Sequence, residues 1–214
     1  MEVISFDGKS KAKICLEQGA RLCDLVFQNT QVLAMDKLSD YKDNYASSVL
    51  FPFANRVRDG KYEFNGETFS LNCNETEKNN ALHGLVYNKT YTVVNEEATS
   101  TSASVILRYK DEGANNGFPY KFSIELTYTL SNSGLNLLVN IKNTDDKDFP
   151  FTLGWHPYFN SENLEVSTLN FNSYKTHSFD EQQIVTGTQS FNTEMPFQLK
   201  NVKLDDSFEL EDNN

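Results

Sequence analysis

The chain has 214 residues, of which 38% are hydrophobic and 13% aromatic, so bulky aromatic side chains can build a core where aliphatic ones are few. Its net charge of −11 argues against nucleic acid and anionic membranes as partners, because both bind clustered Lys and Arg, and favours a small neutral ligand. The length is typical of one large all-β domain, and we expect a single domain over residues 1–214.

The sequence shows no sign of export or of membrane insertion. The N-terminus lacks a basic segment followed by an apolar run, and no stretch of roughly eighteen apolar residues occurs. Cys15, Cys23 and Cys73 have neither a CxxC nor a metal-ligand spacing, which predicts reduced thiols and no metal site. We therefore expect a cytoplasmic protein without a membrane partner.

Short predicted strands separated by turn signals follow one another from the N-terminus. Residues 1–38 alternate brief apolar runs with Gly and Asn-Thr breaks. The clearest local signal is Asn65-Gly66, the favoured sequence of a type I′ hairpin turn, between two alternating stretches. In that register Tyr62 faces Phe69, and the apolar side chains of both strands share one face.

The later segments have the same character. Residues 122–130 alternate strictly between apolar and polar side chains, which predicts a half-buried strand. Residues 131–134 (Ser-Asn-Ser-Gly) close another hairpin, and no segment has the pattern of an amphipathic helix of three turns. Neither a repeat nor a linker divides the chain. Many short strands with regular turn signals predict an all-β, antiparallel sandwich or barrel.

One histidine stands out by its surroundings. If residues 149–156 are extended, the large apolar side chains lie on one face, and Thr152, Gly154 and His156 lie on the other. Pro157 then ends any central strand ladder. This arrangement predicts the floor of a site with a proton-transferring imidazole at its rim. The alternative for His156 is a hydrogen-bonded histidine at the end of a strand.

Three motifs in a fixed order point to a known family. They are Leu50-Phe51-Pro52-Phe53-Ala54-Asn55-Arg56-Val57, Ala81-Leu82-His83-Gly84 and His156-Pro157-Tyr158-Phe159-Asn160, with Gly117-Phe118-Pro119 between the last two. Over these residues the chain resembles the aldose 1-epimerases (mutarotases) of the galactose mutarotase-like group. The resemblance implies a large antiparallel twisted β-sandwich, the galactose mutarotase-like supersandwich, with a sugar cleft on one sheet.

The resemblance also implies a reaction. A mutarotase interconverts the α and β anomers of a free hexose. One group protonates the ring oxygen while a carboxylate takes the proton of the anomeric hydroxyl, and the opened ring then recloses. Both steps are proton transfers, so neither a metal nor an organic cofactor is needed. His156 would be the general acid, a role that suits an imidazole. The partner would be a small-molecule sugar, a free aldohexose.

The same resemblance assigns the substrate-binding groups. His83 would hydrogen-bond the sugar, and Arg56, which follows Asn55, would bind hydroxyls or orient a carboxylate with its planar fork of donors. Asp205 resembles the family's later substrate-binding aspartate, although Asp206 is adjacent in an acidic segment. The alternatives are a surface ion pair for Arg56 and a turn cap for His83.

Three further ring-bearing residues are expected to have structural positions and no role in the chemistry. Tyr158 and Phe159 are expected in the core or the cleft wall rather than as a sugar platform. His177 has no polar constellation around it in the sequence, which favours a surface position.

One departure from the family bears on activity. The family's catalytic base is a glutamate from a strand well beyond the aspartate motif, whereas this sequence reaches Asn214 soon after that motif. Glu209 and Glu211 lie too close to Asp205 to be its counterpart. We therefore expect these 214 residues to lack the catalytic glutamate, the sandwich to be incomplete at the C-terminus, and the chain alone to be a poor catalyst.

Two other functions use the same residues. A non-catalytic sugar-binding β-sandwich would hold a sugar with these groups without turning it over. A hexose-6-phosphate mutarotase would require a cluster of Lys and Arg near the cleft, which the net charge of −11 makes less favourable.

Overall fold

Antiparallel strands form nearly all the regular structure of the chain, which a computed structural model describes over residues 1–34, 40–202 and 204–211. The all-β prediction is therefore confirmed, while the end of the predicted strand-rich segment 1–38 lies outside the described residues. The chain divides into two compact units, Met1–Asn160 and Ser161–Asn214. A single domain over residues 1–214 remains a prediction. No helix in the described ranges is long and apolar enough to cross a membrane.

The first unit contains two four-stranded sheets and three two-stranded ones. Its strands are β1 Glu2–Ile4, β2 Lys11–Cys15, β3 Arg21–Phe27, β4 Thr30–Leu33, β5 Val49–Leu50, β6 Arg56–Arg58, β7 Lys61–Phe64, β8 Glu67–Ser70, β9 Asn80–Leu82, β10 Thr92–Ala98, β11 Ser102–Glu112, β12 Lys121–Ser131, β13 Gly134–Asn143 and β14 Gly154–Trp155, and a short helix, α1, spans Tyr41–Asn44. Within the sheets the strands are ordered β1-β2-β3-β4, β10-β11-β12-β13, β14-β5, β6-β9 and β7-β8.

The second unit has shorter strands. A 3₁₀ turn at Leu164–Val166 precedes the strands, and the sheet orders are β15-β18 and β17-β16-β19 for β15 Thr168–Leu169, β16 Lys175–Phe179, β17 Val185–Ser190, β18 Phe197–Gln198 and β19 Phe208–Glu209.

Strand β12 forms the centre of the core in the first unit. It pairs with β11 on one side and β13 on the other, and its side chains are alternately buried and half-buried. This confirms the alternation predicted for residues 122–130. Tyr128 is fully buried, and its hydroxyl is satisfied there by a hydrogen bond that it donates to the Ala20 carbonyl at 2.9 Å. The fully buried residues of β12 are Phe122, Ile124, Leu126, Tyr128 and Leu130.

The predicted hairpin forms in the predicted register. Tyr62 pairs with Phe69, and their rings stack with centroids 5.0 Å apart. Asn65 and Gly66 both have positive φ, of 51° and 80°, as a type I′ turn requires. The Tyr62 hydroxyl donates to the Gly117 carbonyl at 2.7 Å, which attaches the hairpin to the Gly-Phe-Pro turn.

The extended run expected at residues 149–156 is confirmed in part. Only Gly154 and Trp155 of this run form a strand, β14, which pairs with β5. Phe149 packs against the core, whereas Phe151 and Trp155 remain exposed by 53% and 40%. A Cβ on Gly154 would lie 3.0 Å from the Ala54 Cβ, so glycine permits the close approach of this segment to the chain beyond β5.

Two of the three thiols predicted to be reduced lie side by side. Cys15 and Cys23 meet between β2 and β3 with their Cα atoms 6.0 Å apart, a separation that a disulfide can span. Antiparallel pairing of the two strands brings together residues that the sequence spacing did not connect. Cys73 is a half-buried free cysteine.

The second unit packs around three aromatic rings. The Phe208 ring lies 4.8 Å from that of Phe171 and 4.7 Å from that of Phe191. His177 in β16 was expected at the surface, but its side chain is only 20% exposed. Its Nδ1 lies 3.1 Å from the Ser207 hydroxyl, since β19 is paired with β16.

Candidate functional site

Two histidines that are far apart in the sequence meet in the first unit. The rings of His83 and His156 are in edge contact with centroids 5.0 Å apart. Tyr45 contacts the other side of His83 at 4.8 Å, and Tyr158 lies 5.3 Å from His156. Both histidines are half-buried. The structure thus joins the second and third sequence motifs into one candidate site.

Backbone hydrogen bonds fix the position of His156. Its N–H donates to the Ser48 carbonyl at 3.0 Å, and its carbonyl accepts from the Ser47 N–H at 2.8 Å. The preceding Trp155 donates its indole N–H to the Ser47 carbonyl at 3.2 Å. These bonds extend the pairing of β14 with β5, so His156 stands at the end of that short ladder.

An unusual backbone conformation presents His83. It has a φ of +64°, and Gly84 follows at +74°. Bulky residues rarely adopt the left-handed region, and such strain is concentrated at functional sites. The His83 N–H donates to the Asn55 carbonyl at 2.9 Å, and a Cβ on Gly84 would lie 2.3 Å from the Phe51 carbonyl oxygen. The His-Gly motif therefore packs directly on the backbone of the Asn-Arg motif.

His83 is a neutral group at ordinary pH. Burial, together with the nearby His156 ring and the Arg56 guanidinium, lowers the pKa of His83 to about 4. Its Nδ1 is buried and has no hydrogen-bond partner among the described residues. A neutral imidazole suits a role in hydrogen bonding to a sugar better than a role as a cation.

Arg56 holds a carboxylate that the sequence analysis missed. Its Nε and Nη2 form a two-pronged pair with Glu75, with contacts of 2.8 Å from each nitrogen, and both side chains are about four-fifths buried. Arg56 Nη1 also donates to the Asn55 side-chain oxygen at 3.2 Å. Arg56 is thus in an ion pair, which fits both the carboxylate-orienting role and the structural alternative, and hydroxyl binding by Arg56 and Asn55 remains a prediction.

Glu75 is unsuited to be a general base. The hydrogen bonds from Arg56, and then that from the Asn80 amide at 2.8 Å, lower its pKa to about 2 although burial opposes the shift. A carboxylate with so low a pKa takes up a proton poorly near neutral pH. It forms an ion pair with Arg56 instead.

Asn74, whose side-chain amide bonds both backbone groups of Leu82 just before His83, is the second residue that sequence reasoning missed. Asn74-Glu75-Thr76 matches the pattern of a glycosylation acceptor, and that match carried no information about the site. The sequence offered one signal for these two residues. Asn74 and Glu75 lie in the polar loop just before the His-Gly motif, and a half-buried Arg56 needs a carboxylate partner.

Asp205 belongs to the second unit. It is exposed, in the segment that leads to β19, and its assignment as a sugar ligand remains a prediction. Tyr158 and Phe159 are exposed by 51% and 67%, so they are not core residues in the described part of the chain. No group of three or more His, Cys, Asp or Glu residues in the described ranges could hold a metal ion.

Comparisons with known proteins agree with this geometry. The family model described as aldose 1-epimerase matches residues 3–213. An aldose 1-epimerase from Haemophilus influenzae is 28% identical over 138 residues, which cover 63% of this chain and 39% of that protein. A maltose epimerase from Levilactobacillus brevis is 28% identical over 156 residues, 69% of this chain and 44% of that protein.

Structural similarity extends the match. The crystal structure of a galactose mutarotase-like protein from Clostridium acetobutylicum superposes with a TM-score of 0.87 at 22% identity, over 97% of this chain and 68% of that one. The fold is therefore that of the galactose mutarotase-like proteins. The chain spans less than half the length of the two curated relatives. With its match over residues 3–213, the chain belongs to the aldose 1-epimerase family.

Proposed function

We propose that the protein interconverts the α and β anomers of a free aldose, with His156 as the acid that protonates the ring oxygen. The contact between His156 and His83 carries this proposal. The low pKa of His83 leaves that ring neutral and able to hydrogen-bond a sugar. The His156 imidazole beside it would give the proton that ring opening requires on the acid side.

The other groups support binding of the sugar. His83 would hydrogen-bond a ring substituent, and Arg56 with Asn55 would contact hydroxyls from the edge of the site. Asp205 would add a further contact. We assign the carboxylate that accepts the anomeric proton to the C-terminal part of the family fold, because the low pKa of Glu75 makes it a poor base.

The charge of the site favours a neutral sugar over a sugar phosphate. Arg56 is already paired with Glu75, so its positive charge is compensated and adds little attraction for a phosphate group. The two named relatives act on different sugars by their names, an aldose and maltose. The assay should therefore compare galactose, glucose and maltose as free sugars.

Polarimetry of freshly dissolved α-anomers tests the proposal. We expect His156→Ala to slow anomer exchange by a factor on the order of 10²–10⁴, the usual loss when a general acid is removed. His177→Ala is the matched control, because it removes the same side chain from the second unit and should leave the rate unchanged. Equal rates for His156→Ala and the unmodified protein would refute the assignment. Because the base is assigned to the C-terminal part of the family fold, both variants are assayed in protein that carries that part. Sugar binding without accelerated exchange by that protein would favour the non-catalytic sugar-binding function instead.

A further inference from the structure

The side chain of Asn74 makes the backbone hydrogen bonds to Leu82, the residue before His83, that a neighbouring strand would otherwise make. Its Oδ1 accepts the Leu82 N–H at 2.7 Å, and its Nδ2 donates to the Leu82 carbonyl at 3.0 Å. The two bonds are complementary, so they fix which end of the amide is oxygen. They also fix both the N–H and the carbonyl of Leu82, the last residue of β9, immediately before the chain enters the left-handed conformation at His83.

The same amide reaches the aromatic wall of the histidine pair. Asn74 Nδ2 donates to the Tyr45 hydroxyl at 3.2 Å and lies 3.4 Å from the Tyr87 hydroxyl. Tyr45 is 91% buried, and its ring contacts the rings of both His83 and Tyr87. Asn74 therefore connects the backbone that carries His83 with the ring that packs on it.

The next residue performs the equivalent task for Arg56. Glu75 accepts two donors of the guanidinium and the Asn80 side-chain amide, and its backbone exchanges hydrogen bonds of 3.1 Å in both directions with Asn80 at the start of β9. Since β9 pairs with β6, the carboxylate is fixed to the strand beside the one that begins with Arg56.

We propose that Asn74 and Glu75 are the positioning residues of the site, Asn74 for His83 and Glu75 for Arg56, so that one dipeptide sets the geometry of both sugar-binding groups. Neither residue needs to touch the substrate for this role. The inference rests on the proposed function only in naming a sugar as the ligand, because the positioning itself is a property of the unliganded chain. Fixed side chains lose less freedom on binding, which is the physical benefit of such support.

Nuclear magnetic resonance of the unmodified chain and of Asn74→Ala tests the first half. The His83 imidazole should titrate near pH 4 in the unmodified chain, since burial lowers its pKa. In Asn74→Ala we expect water to reach the ring and the pKa of His83 to rise by about one unit toward the ordinary value. Asn72→Ala removes an asparagine of the same loop that is exposed as Asn74 is, and it should not move this pKa. An unchanged His83 titration in folded Asn74→Ala would overturn the role of Asn74.

Glu75→Gln tests the second half. It keeps the shape of the side chain and one oxygen acceptor but removes the charge of the two-pronged pair. We expect the Arg56 Nε–H to be protected from solvent exchange in the unmodified chain and its resonance to be lost in Glu75→Gln. The dissociation constant for the sugar should rise about tenfold. Protection of that resonance as strong as before would overturn the role of Glu75.

The two sets of measurements separate the proposals. If the unmodified protein neither binds a free sugar nor speeds anomer exchange, the proposed function fails, and the titration of His83 and the protection of Arg56 still decide the positioning. If the protein is active and neither Asn74→Ala nor Glu75→Gln changes these resonances, only the positioning inference fails. A kcat that falls while KM is unchanged would also contradict it, because displaced binding groups should act on KM.

Discussion

Alanine at position 84 should destabilise the first unit strongly, because the added methyl group has no space. Its Cβ would lie 2.3 Å from the Phe51 carbonyl oxygen and 2.6 Å from the carbonyl carbon, and these backbone atoms cannot rotate away. The φ of +74° adds a second penalty for a residue with a Cβ. The left-handed conformation costs about 1–2 kcal/mol and the overpacking about 1–3 kcal/mol, so the expected loss is about 2–5 kcal/mol.

The chain offers both a probe and a matched control for this experiment. Its single tryptophan, Trp155, lies in β14 of the first unit, so its fluorescence during urea unfolding reports on that unit. Gly66→Ala is the control, because Gly66 has a φ of +80° with no atom within 4 Å of the added Cβ. That variant should lose only the backbone part, about 1–2 kcal/mol.

The difference between the two variants isolates the steric part. Gly84→Ala should unfold at a lower urea concentration than Gly66→Ala, with a free energy of unfolding lower by about 1–3 kcal/mol and a similar slope. Equal losses would mean that the backbone at Gly84 moves away from Phe51 at no cost. In that case the close contact between the Asn-Arg and His-Gly motifs would not hold the site together.

Three further changes test the fold and its charges. Because the pKa of Glu75 is about 2 against an ordinary 4.5, its pair with Arg56 stabilises the fold fully above about pH 4.5 and loses this effect as the pH falls toward 2. Acid titration should show a difference from Glu75→Gln of about 1–2 kcal/mol, after allowance for solvent screening, that vanishes near pH 2. Tyr128→Phe leaves the Ala20 carbonyl unpaired and should cost about 1–2 kcal/mol in urea unfolding. Phe122→Ala should cost about 3–5 kcal/mol in the same assay.

Local rules of the sequence predicted the regular part of the fold well. The hairpin at Asn65-Gly66 forms in the expected register because the turn type and the apolar alternation both depend on residues within a few positions. The alternation of β12 is equally local, and every second side chain is buried as predicted. The extended run at residues 149–156 was a weaker prediction, because Pro150 and Pro157 limit pairing on either side of β14.

Contacts between distant segments were beyond the same rules. The contact between Cys15 and Cys23 depends on how β2 and β3 pair, and the pairing of Glu75 with Arg56 depends on how β9 lies beside β6. His177 gained its partner only through the pairing of β16 with β19. Motif order identified His83, His156 and Arg56 as members of one site, yet it gave no information about the residues that support them.

The backbone of the candidate site includes three residues in the left-handed region. Tyr45, Asn55 and His83 have φ values of +52°, +65° and +64°, in a region that favours glycine and tolerates asparagine. The His83 N–H donates to the Asn55 carbonyl, and the Tyr45 N–H donates to the Tyr41 carbonyl, so surrounding hydrogen bonds hold two of these residues in place. Glycine would occupy position 83 with less strain, whereas an imidazole there adds about 1–2 kcal/mol of backbone cost. Position 83 therefore carries this backbone cost at the place where its ring meets His156.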